Sequence, residues 1–537
     1  METPLTPLEF ARRARKLYPE RVAAIDGDSR WTYAQFLDRC DRWSAVLQKV
    51  GIALRDRVAY LSPNTHAQLE SFYAVPQVGA VLVPLNYRLT ADDFVYLINH
   101  SGSRMVCADR DYLGTIDSIR SRIPCVEHFV ALSSSVELPA REDFRSPQPN
   151  SDWLDYEAMV EASSTKFVRP EIHETDLLTI NYTSGTTSRP KGVMITHRNA
   201  WMNSIGTLLY VPMTCADRYL WTLPMFHANG WTFVWTVTAA GATHICLRKC
   251  EPRAVFELMK TERVTTLCAA PTVLISLANA PGNLRRLAPK GIHVVTAGAP
   301  PAANTIQRLE EDLGWTITHV YGLTETAPFI TVCESRAEHA SLPISELAAI
   351  KARQGVELIT SGELRIVDMQ GNDVPHDGVT QGEIIARGNV IMAGYYNDPK
   401  ATEQALRGGW FHTGDVAVVH PDGYVEIRDR LKDVIISGGE NISSVEVEGV
   451  LLRHPAVQEV AIVGFPHERW GEAPHAFVLL KQNARADERE LCEFARANLA
   501  HFKAPHSVTF VKELPKTATG KIQKYILRAQ QPAIAPQ

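Results

Sequence analysis

The sequence predicts an α/β protein of more than one domain, and three observations lead to this. Short apolar runs alternate with longer amphipathic segments, as in layered and largely parallel sheets. At 537 residues and 45% apolar content, the chain can bury more than one core. The pattern changes near Lys432, after which about a hundred residues form a compact unit. We therefore expect a large domain over residues 1–431 and a small α+β domain over 432–537.

Strands and helices are predicted in turn from apolar periodicity. The large domain is expected to contain strands at 81–85, 105–108, 129–132 and 244–247, and helices at 36–50 and 253–263. Alternation at 382–387 and 424–428 predicts strands with one exposed face. The small domain is expected to contain helices at 445–452 and 488–499 and strands at 460–464 and 476–480. Residues 133–152, polar and rich in proline, predict a surface connection.

Composition excludes several classes of function. The net charge is -5 without a basic block, which argues against nucleic acid as a partner. Nine scattered cysteines without a CxxC pair predict neither a disulfide framework nor a structural metal. The most apolar stretch, 72–85, is shorter than the ~18 residues that span a bilayer, so we expect a buried helix-turn-strand and no integral membrane association. Neither end carries a targeting signal, which predicts a cytoplasmic location.

The segment Tyr182-Thr-Ser-Gly-Thr-Thr-Ser-Arg-Pro-Lys-Gly192 combines hydroxyls, glycines and two cations. Such residues donate to phosphate oxygens and neutralise their charge, so the ligand predicted is a polyphosphate. It is not a Walker A loop, because Pro190, Lys191 and Gly192 stand where that loop has Gly, Lys and Ser or Thr. Strand-like residues on both sides predict a hairpin. The alternative is a solvated turn.

Four further segments occur in order along the chain. They are Tyr321-Gly-Leu-Thr-Glu325, Trp410-Phe-His-Thr-Gly-Asp415, residues 429–442, and Pro515-Lys-Thr-Ala-Thr-Gly-Lys521. With the phosphate loop, they resemble the adenylate-forming superfamily of acyl-CoA synthetases, peptide-synthetase adenylation domains and luciferases, from about residue 10 to about residue 530. Residues 223–231 look most like acyl-activating fatty-acid or methylmercaptopropionate CoA ligases. The resemblance implies a large domain of two layered α/β subdomains plus a small β-barrel, followed by a small mobile domain.

The resemblance also implies the nucleotide site. Glu325 and Thr187 would hold Mg²⁺, Thr324 would meet the α-phosphate, and Asp415 with Arg430 would bind the ribose. The β- and γ-phosphates would be held by Thr183, Ser184, Gly185, Thr186, Thr187 and Lys191, with Arg189 nearby. Adenine would lie between Gly298, Ala299, Pro300, Tyr321 and Gly322, with Tyr321 stacked on the base. The structural alternatives are a solvated acid for Glu325 and a core ring for Tyr321.

The second half of the implied site concerns acyl transfer. Lys521 would be the adenylation lysine, Lys432 the hinge, and Gly438 and Gly439 would let pantetheine approach. Trp470 would line the coenzyme A surface. His227, beside Trp231, would gate or orient the carboxylate. The structural alternatives are a surface lysine for Lys521, a packed ring for Trp470 and a hydrogen-bonded structural histidine for His227.

The function expected from these residues is that of an acid-thiol ligase using ATP, Mg²⁺ and coenzyme A. Aromatic residues around Trp231 and Trp235 suggest a medium-chain, branched or aromatic carboxylic acid as the small-molecule substrate. One alternative is an acyl-AMP ligase that loads a free-standing carrier protein. Another is a non-catalytic nucleotide-binding protein of the same fold. The sequence leaves open whether the chain forms a homo-oligomer.

Overall fold

Two large sheets form the first part of the chain, and two smaller sheets follow. The computed structural model describes residues 2–132, 152–183, 189–299, 301–437, 440–467, 469–517 and 522–530. Most of the expected surface connection at 133–152 lies outside these residues. The largest apolar core contains strand residues of both large sheets, such as Leu82 and Tyr219, together with Trp43 and Trp235 from helices. The predicted pair of layered α/β subdomains is confirmed.

The first large sheet has eight strands, and its central strands run parallel. In sheet order they are Gly394–Tyr395, Gly192–Thr196, Leu177–Tyr182, Val81–Pro84, Arg57–Leu61, Ser103–Asp109, His128–Leu132 and Leu154–Asp155. Gly192–Thr196 pairs antiparallel with both of its neighbours. The chain therefore makes a hairpin between residues 182 and 192, where the phosphate loop is predicted.

The second large sheet has nine strands. In sheet order they are Val356–Glu357, Phe329–Val332, Thr316–Gly322, His293–Thr296, Thr266–Ala269, Arg218–Leu220, Thr243–Ile245, Val22–Asp26 and Ser29–Thr32. The strands from Thr316–Gly322 to Val22–Asp26 are parallel, so their carboxyl ends meet at one edge. Such an edge is where α/β sheets bind ligands.

Two smaller sheets follow the large ones. Four antiparallel strands stand where the barrel was predicted: Glu363–Val367, Gly382–Arg387, Phe411–Val419 and Val425–Arg430. The second domain has a sheet of Glu440–Ile442, Ile435–Ser437, Gly471–Leu480 and Val457–His467, with Ser507–Phe510 parallel to Gly471–Leu480. The strand Gly382–Arg387 has one buried face, with Gly382, Ile384 and Ala386, and its other face carries the half-buried Glu383, the buried Ile385 and the exposed Arg387. The expected alternation is therefore seen at every position but Ile385.

Helices pack against the two large sheets, and His66–Ala74 is buried along its whole length. Those of the large domain are Leu8–Leu17, Tyr33–Lys49, His66–Ala74, Ala91–Ser101, Leu113–Asp117, Tyr156–Ala162, His197–Tyr210, Ala228–Trp231, Phe233–Ala240, Pro252–Thr261, Pro271–Ala278, Gly282–Arg285, Ala303–Leu313, Ile344–Lys351 and Pro399–Ala405. Ser444–Leu451, Glu488–Asn498 and Lys524–Ala529 follow. Within the described ranges, none is both long and apolar enough to cross a membrane.

Candidate active site

The phosphate loop is a hairpin between two paired strands, as predicted. Tyr182 lies opposite Gly192, and the Thr183 N–H donates to the Lys191 carbonyl at 3.1 Å. The Tyr96 hydroxyl donates to the Pro190 carbonyl at 3.1 Å, which holds the second half of the loop. The predicted phosphate-binding residues at the tip, Ser184, Gly185, Thr186 and Thr187, lie outside the described residues. Thr183 and Lys191 therefore mark the two ends of the loop.

Tyr395 contacts both Glu325 and the phosphate-loop residue Lys191, and so connects the two. The Tyr395 hydroxyl donates to Glu325 Oε1 at 2.9 Å, and the Lys191 ammonium lies 4.7 Å from the centre of the Tyr395 ring. Burial raises the pKa of Glu325, although the hydrogen bond from Tyr395 lowers it. A nearby cation would stabilise the ionised form of a buried carboxylate, so Glu325 is suited to the predicted role of Mg²⁺ ligand.

Tyr321, Asp415 and Arg430 form a second cluster, and they come from three different strands. The Tyr321 hydroxyl donates to Asp415 Oδ2 at 2.7 Å, and Arg430 Nε lies 3.1 Å from Asp415 Oδ1. Asp415 and Arg430 come from neighbouring antiparallel strands, where they are paired in register. The Asp415 carboxylate raises the pKa of Arg430. The residues predicted for adenine and for ribose are thus in contact.

The other residues predicted for adenine lie on adjacent parallel strands. Gly298 and Ala299 follow His293–Thr296, and Gly322 ends Thr316–Gly322. Gly298 has φ +90°, which favours glycine. A Cβ on Gly322 would lie 1.8 Å from the Pro328 carbonyl oxygen. Pro300 lies outside the described residues, whereas Thr324 begins the short 3₁₀ helix Thr324–Thr326 that also carries Glu325.

His227 lies at the start of a left-handed turn. The five residues after it have positive φ: Ala228 +44°, Asn229 +56°, Gly230 +55°, Trp231 +53° and Thr232 +64°. Left-handed backbone costs roughly 1–2 kcal/mol for each residue with a side chain, and such backbone clusters at functional sites. His227 itself is half-buried.

Aromatic packing surrounds this turn. The Trp231 ring meets Phe329 edge to face, with centroids 5.8 Å apart, and Phe226 meets Tyr87 in the same way at 5.2 Å. Trp235, in contrast, is fully buried against Phe72. Trp235 is therefore a core residue and does not line the acyl site as its sequence neighbourhood suggested.

Buried asparagine side chains hold the loops around the site, and we call them the asparagine staples. Their hydrogen bonds are Asn64 Nδ2 to the carbonyls of Trp221 (2.9 Å) and Leu223 (3.0 Å), Asn199 Nδ2 to those of Asn389 (2.7 Å) and Ile391 (3.0 Å), and Asn203 Nδ2 to those of Thr326 (3.3 Å) and Phe329 (2.7 Å). Each amide satisfies backbone groups that a helix or sheet would otherwise pair. The loops that carry His227 and Glu325 are positioned in this way.

The junction near Lys432 is bridged by polar contacts. Asp429 Oδ2 accepts from the Ser444 N–H at 2.5 Å, and Lys524 Nζ lies 2.5 Å from Ser444 Oγ. Arg528 pairs with Asp433 at 2.7 Å, immediately after Lys432. The helix Lys524–Ala529 thus contacts Ser444 and Asp433, which both follow Lys432, through its two cations. Burial raises the pKa of Asp429.

The residues predicted for acyl transfer are described only in part. Lys521, Gly438 and Gly439 lie outside the described residues. Trp470 is 37% exposed, with the Arg469 guanidinium 4.5 Å from its ring centre. It comes immediately before Gly471, which pairs with Ser437. Trp470 is therefore adjacent to the strand that leads to Gly438.

Two residues of the site were missed by sequence reasoning. Tyr395 belongs to a two-residue strand, and the only sequence feature that marked this strand was the run Gly394-Tyr395-Tyr396. Asn229 lies inside an apolar segment, where Asn-Gly was the one hint of left-handed backbone. Both act through partners more than forty residues away in the chain, which periodicity does not reveal.

Comparisons with known proteins agree with this geometry. The AMP-binding enzyme family matches residues 10–396, and the AMP-binding enzyme C-terminal domain matches 446–521. A 4-hydroxybutyrate–CoA ligase of Metallosphaera sedula is 42% identical, over 99% of this chain and 95% of its own length. The peroxisomal trans-cinnamate:CoA ligase of Petunia hybrida is 40% identical, over 98% and 94% respectively. The solved structure of ATP-bound MatB from Rhodopseudomonas palustris is 26% identical, with a TM-score of 0.83 and coverage of 97% and 98%. The chain therefore belongs to the AMP-binding enzyme family, and its resemblance to the acyl-CoA synthetases of the adenylate-forming superfamily is confirmed.

Proposed function

We propose that this acyl-CoA synthetase activates a medium-chain, branched or aromatic carboxylic acid as its acyl-adenylate and transfers the acyl group to coenzyme A. The observation that carries the proposal is the cluster of Tyr321, Asp415 and Arg430. It brings an aromatic ring, a carboxylate and a cation into contact at the carboxyl edge of the nine-stranded sheet. The ring suits the base, and the carboxylate with its paired cation suits the ribose, of one nucleotide.

Glu325 and Lys191 supply the charges that adenylation needs. The carboxylate of the acid and the α-phosphate repel each other, so the site must stabilise negative charge as it develops. Mg²⁺, held by Glu325 and Thr187, would supply part of that positive charge. Lys191, fixed against Tyr395, supplies another part from the loop side. Thr324 is proposed to meet the α-phosphate, and Lys521 to bridge the carboxylate and the α-phosphate.

The second half-reaction is proposed to need a rotation of the small domain about Lys432. The rotation would withdraw Lys521 and bring Gly438, Gly439 and Trp470 to the acyl group. The contact between Asp429 and Ser444 spans Lys432, so such a rotation would break it. We propose that this contact is specific to one of the two poses. The domain boundary at 431/432 forms part of the same proposal.

The acid class is argued from the aromatic residues beside His227. Trp231 is 3% exposed and packs edge to face on Phe329, so it would present a fixed ring to an acid bound beside the turn. A rigid aromatic wall suits a flat or short acyl chain. Of the acids named for the two relatives, trans-cinnamate falls within the proposed class, whereas 4-hydroxybutyrate is a short unbranched acid outside it. His227 is proposed to orient the carboxylate.

The test measures both half-reactions against a panel of acids. ATP–pyrophosphate exchange is followed with 4-hydroxybutyrate, hexanoate, isovalerate, benzoate, trans-cinnamate and palmitate, and AMP release is then followed with and without coenzyme A. We expect exchange with at least one medium-chain, branched or aromatic acid and AMP release that depends on coenzyme A. Exchange without coenzyme A-dependent release would point to a carrier protein as acceptor. Absence of exchange with every acid would refute the proposal.

The cytoplasmic location is also proposed. The trans-cinnamate:CoA ligase relative is named as peroxisomal, so the two compartments must be distinguished. Fractionation of cells that express the full chain with a catalase marker makes this distinction, and sedimentation with peroxisomes would overturn the proposed location.

A further inference from the structure

We propose that Thr179, Asn181 and Asn229 form a positioning ring. This ring fixes the left-handed turn after His227, where the acid is proposed to bind, relative to the phosphate loop. The inference rests on the proposed function and adds three residues to it. It concerns how the carboxylate is placed against the α-phosphate, and not how ATP itself is held.

The three side chains form a closed cycle of hydrogen bonds. Thr179 Oγ1 donates to Asn181 Oδ1 at 2.7 Å, Asn181 Nδ2 donates to Asn229 Oδ1 at 2.9 Å, and Asn229 Nδ2 donates to Thr179 Oγ1 at 2.9 Å. Their exposed fractions are 0%, 2% and 3%, so water does not compete for these bonds. Hydrogen bonds in such closed networks polarise and strengthen each other.

The cycle joins two elements that the proposed chemistry must keep in register. Thr179 and Asn181 lie on one face of Leu177–Tyr182, the strand that enters the phosphate loop at Thr183. Asn229 lies in the left-handed turn, two residues after His227. Asn181 Nδ2 also reaches the Phe226 carbonyl, the residue before His227, at 3.5 Å. His227 is therefore bracketed by anchors to the phosphate-loop strand.

The backbone of the turn explains why such an anchor is needed. Ala228, Trp231 and Thr232 carry side chains at positive φ, where L residues are disfavoured, so the turn persists only if its surroundings hold it. Asparagine tolerates this conformation and also supplies a donor and an acceptor. Gly230 packs against Trp221, which a Cβ would approach to 2.4 Å. Asn229 is thus the polar anchor and Gly230 the apolar one.

The ring predicts a selective defect in acid binding. Thr179→Val keeps the shape and the strand preference of residue 179 but removes the hydroxyl, which leaves Asn181 Oδ1 and Asn229 Nδ2 without their ring partner. With His227 displaced, the KM for the acid should rise about tenfold while the KM for ATP stays within about twofold. Thr179→Ser restores the hydroxyl and should restore the acid KM.

The experiment uses ATP–pyrophosphate exchange with the best acid of the panel, and both substrates are titrated. Asn229→Gly is the second variant, because glycine tolerates positive φ and only the amide is lost. Thr243→Val is the matched control: Thr243 Oγ1, also buried, donates to the Val22 carbonyl at 2.8 Å in the nine-stranded sheet. Thermal unfolding is recorded for each, and Asn229→Gly carries the test if Thr179→Val does not fold.

The outcomes separate positioning from a structural role. A raised acid KM in Thr179→Val and Asn229→Gly, with rescue by Thr179→Ser and a normal Thr243→Val, supports the ring. Lower stability with both KM values unchanged would overturn it, as would a parallel rise of both KM values or failure of the serine rescue. If the wild-type chain shows no exchange with any acid, both the proposed function and this inference are refuted. If the wild-type chain shows exchange and the variants keep its acid KM, the inference alone is refuted.

Discussion

Replacing Tyr395 with phenylalanine removes one hydroxyl between Glu325 and the phosphate loop. The ring stays, so its contact with the Lys191 ammonium is kept. The bond that is lost is the one from the Tyr395 hydroxyl to Glu325 Oε1 at 2.9 Å. This variant therefore isolates the carboxylate that is proposed to hold Mg²⁺.

The magnitude follows from the charge of the acceptor. A hydrogen bond to an ionised group contributes about 1.5–3 kcal/mol, and one pKa unit corresponds to about 1.4 kcal/mol. Burial already raises the pKa of Glu325, so activity that needs its anion is lost as the pH falls through that pKa. Removing the hydroxyl raises the pKa further. We expect the acidic limb of the profile to move upward by about one pH unit.

The assay is kcat/KM for Mg·ATP in the exchange reaction, measured across pH, since this ratio reports groups of the free enzyme. Tyr396→Phe is the matched control, because Tyr396 is the next residue and its ring faces His100 and not Glu325. We expect this control to follow the wild-type profile. An unchanged acidic limb in Tyr395→Phe, or an equal shift in Tyr396→Phe, would refute the role given to the Tyr395 hydroxyl.

Three further substitutions test the proposed chemistry. Lys521→Ala should slow adenylate formation by ~100-fold or more and leave thiolysis of a supplied adenylate intact, because the lysine acts on charge that develops in the first step. Equal loss in both half-reactions would contradict this role. Glu325→Gln keeps the shape but discards the charge, so activity titrated against Mg²⁺ should require more of the ion, and an unchanged titration would leave Glu325 as a loop acid. Lys432→Pro fixes φ near -65° and should prevent the rotation, so rapid-quench experiments should show that the adenylate forms while acyl-CoA production falls. Normal turnover would show that no rotation about this residue is needed.

Local structure was largely predictable from the sequence. The strands on both sides of the phosphate loop follow from apolar runs, and the structure places them at Leu177–Tyr182 and Gly192–Thr196. The stretch at 72–85 is a buried helix, turn and strand, as expected. The second-domain helix expected at 488–499 is Glu488–Asn498. Each of these depends on neighbours in sequence, where periodicity is informative.

Contacts between distant segments were beyond such reasoning. Tyr321 and Asp415 were each assigned by resemblance, yet their hydrogen bond joins residues 94 positions apart. In the strand Gly382–Arg387, tertiary packing buries Ile385 on the same face as the exposed Arg387, which the alternation in sequence did not predict. The left-handed backbone at Asn229 depends on partners in another strand, and no local signal specifies those partners.

The asparagine staples determine how the frame of the site responds to solution conditions. An amide side chain does not ionise, and hydrogen bonds between buried neutral groups are little affected by the salt that screens surface charges. Asn64, Asn199 and Asn203 therefore hold their loops in the same way in acid or alkali and at low or high ionic strength. Changes in rate with pH or salt therefore do not arise from these three side chains, and they report ionising groups elsewhere in the protein and the charged substrates.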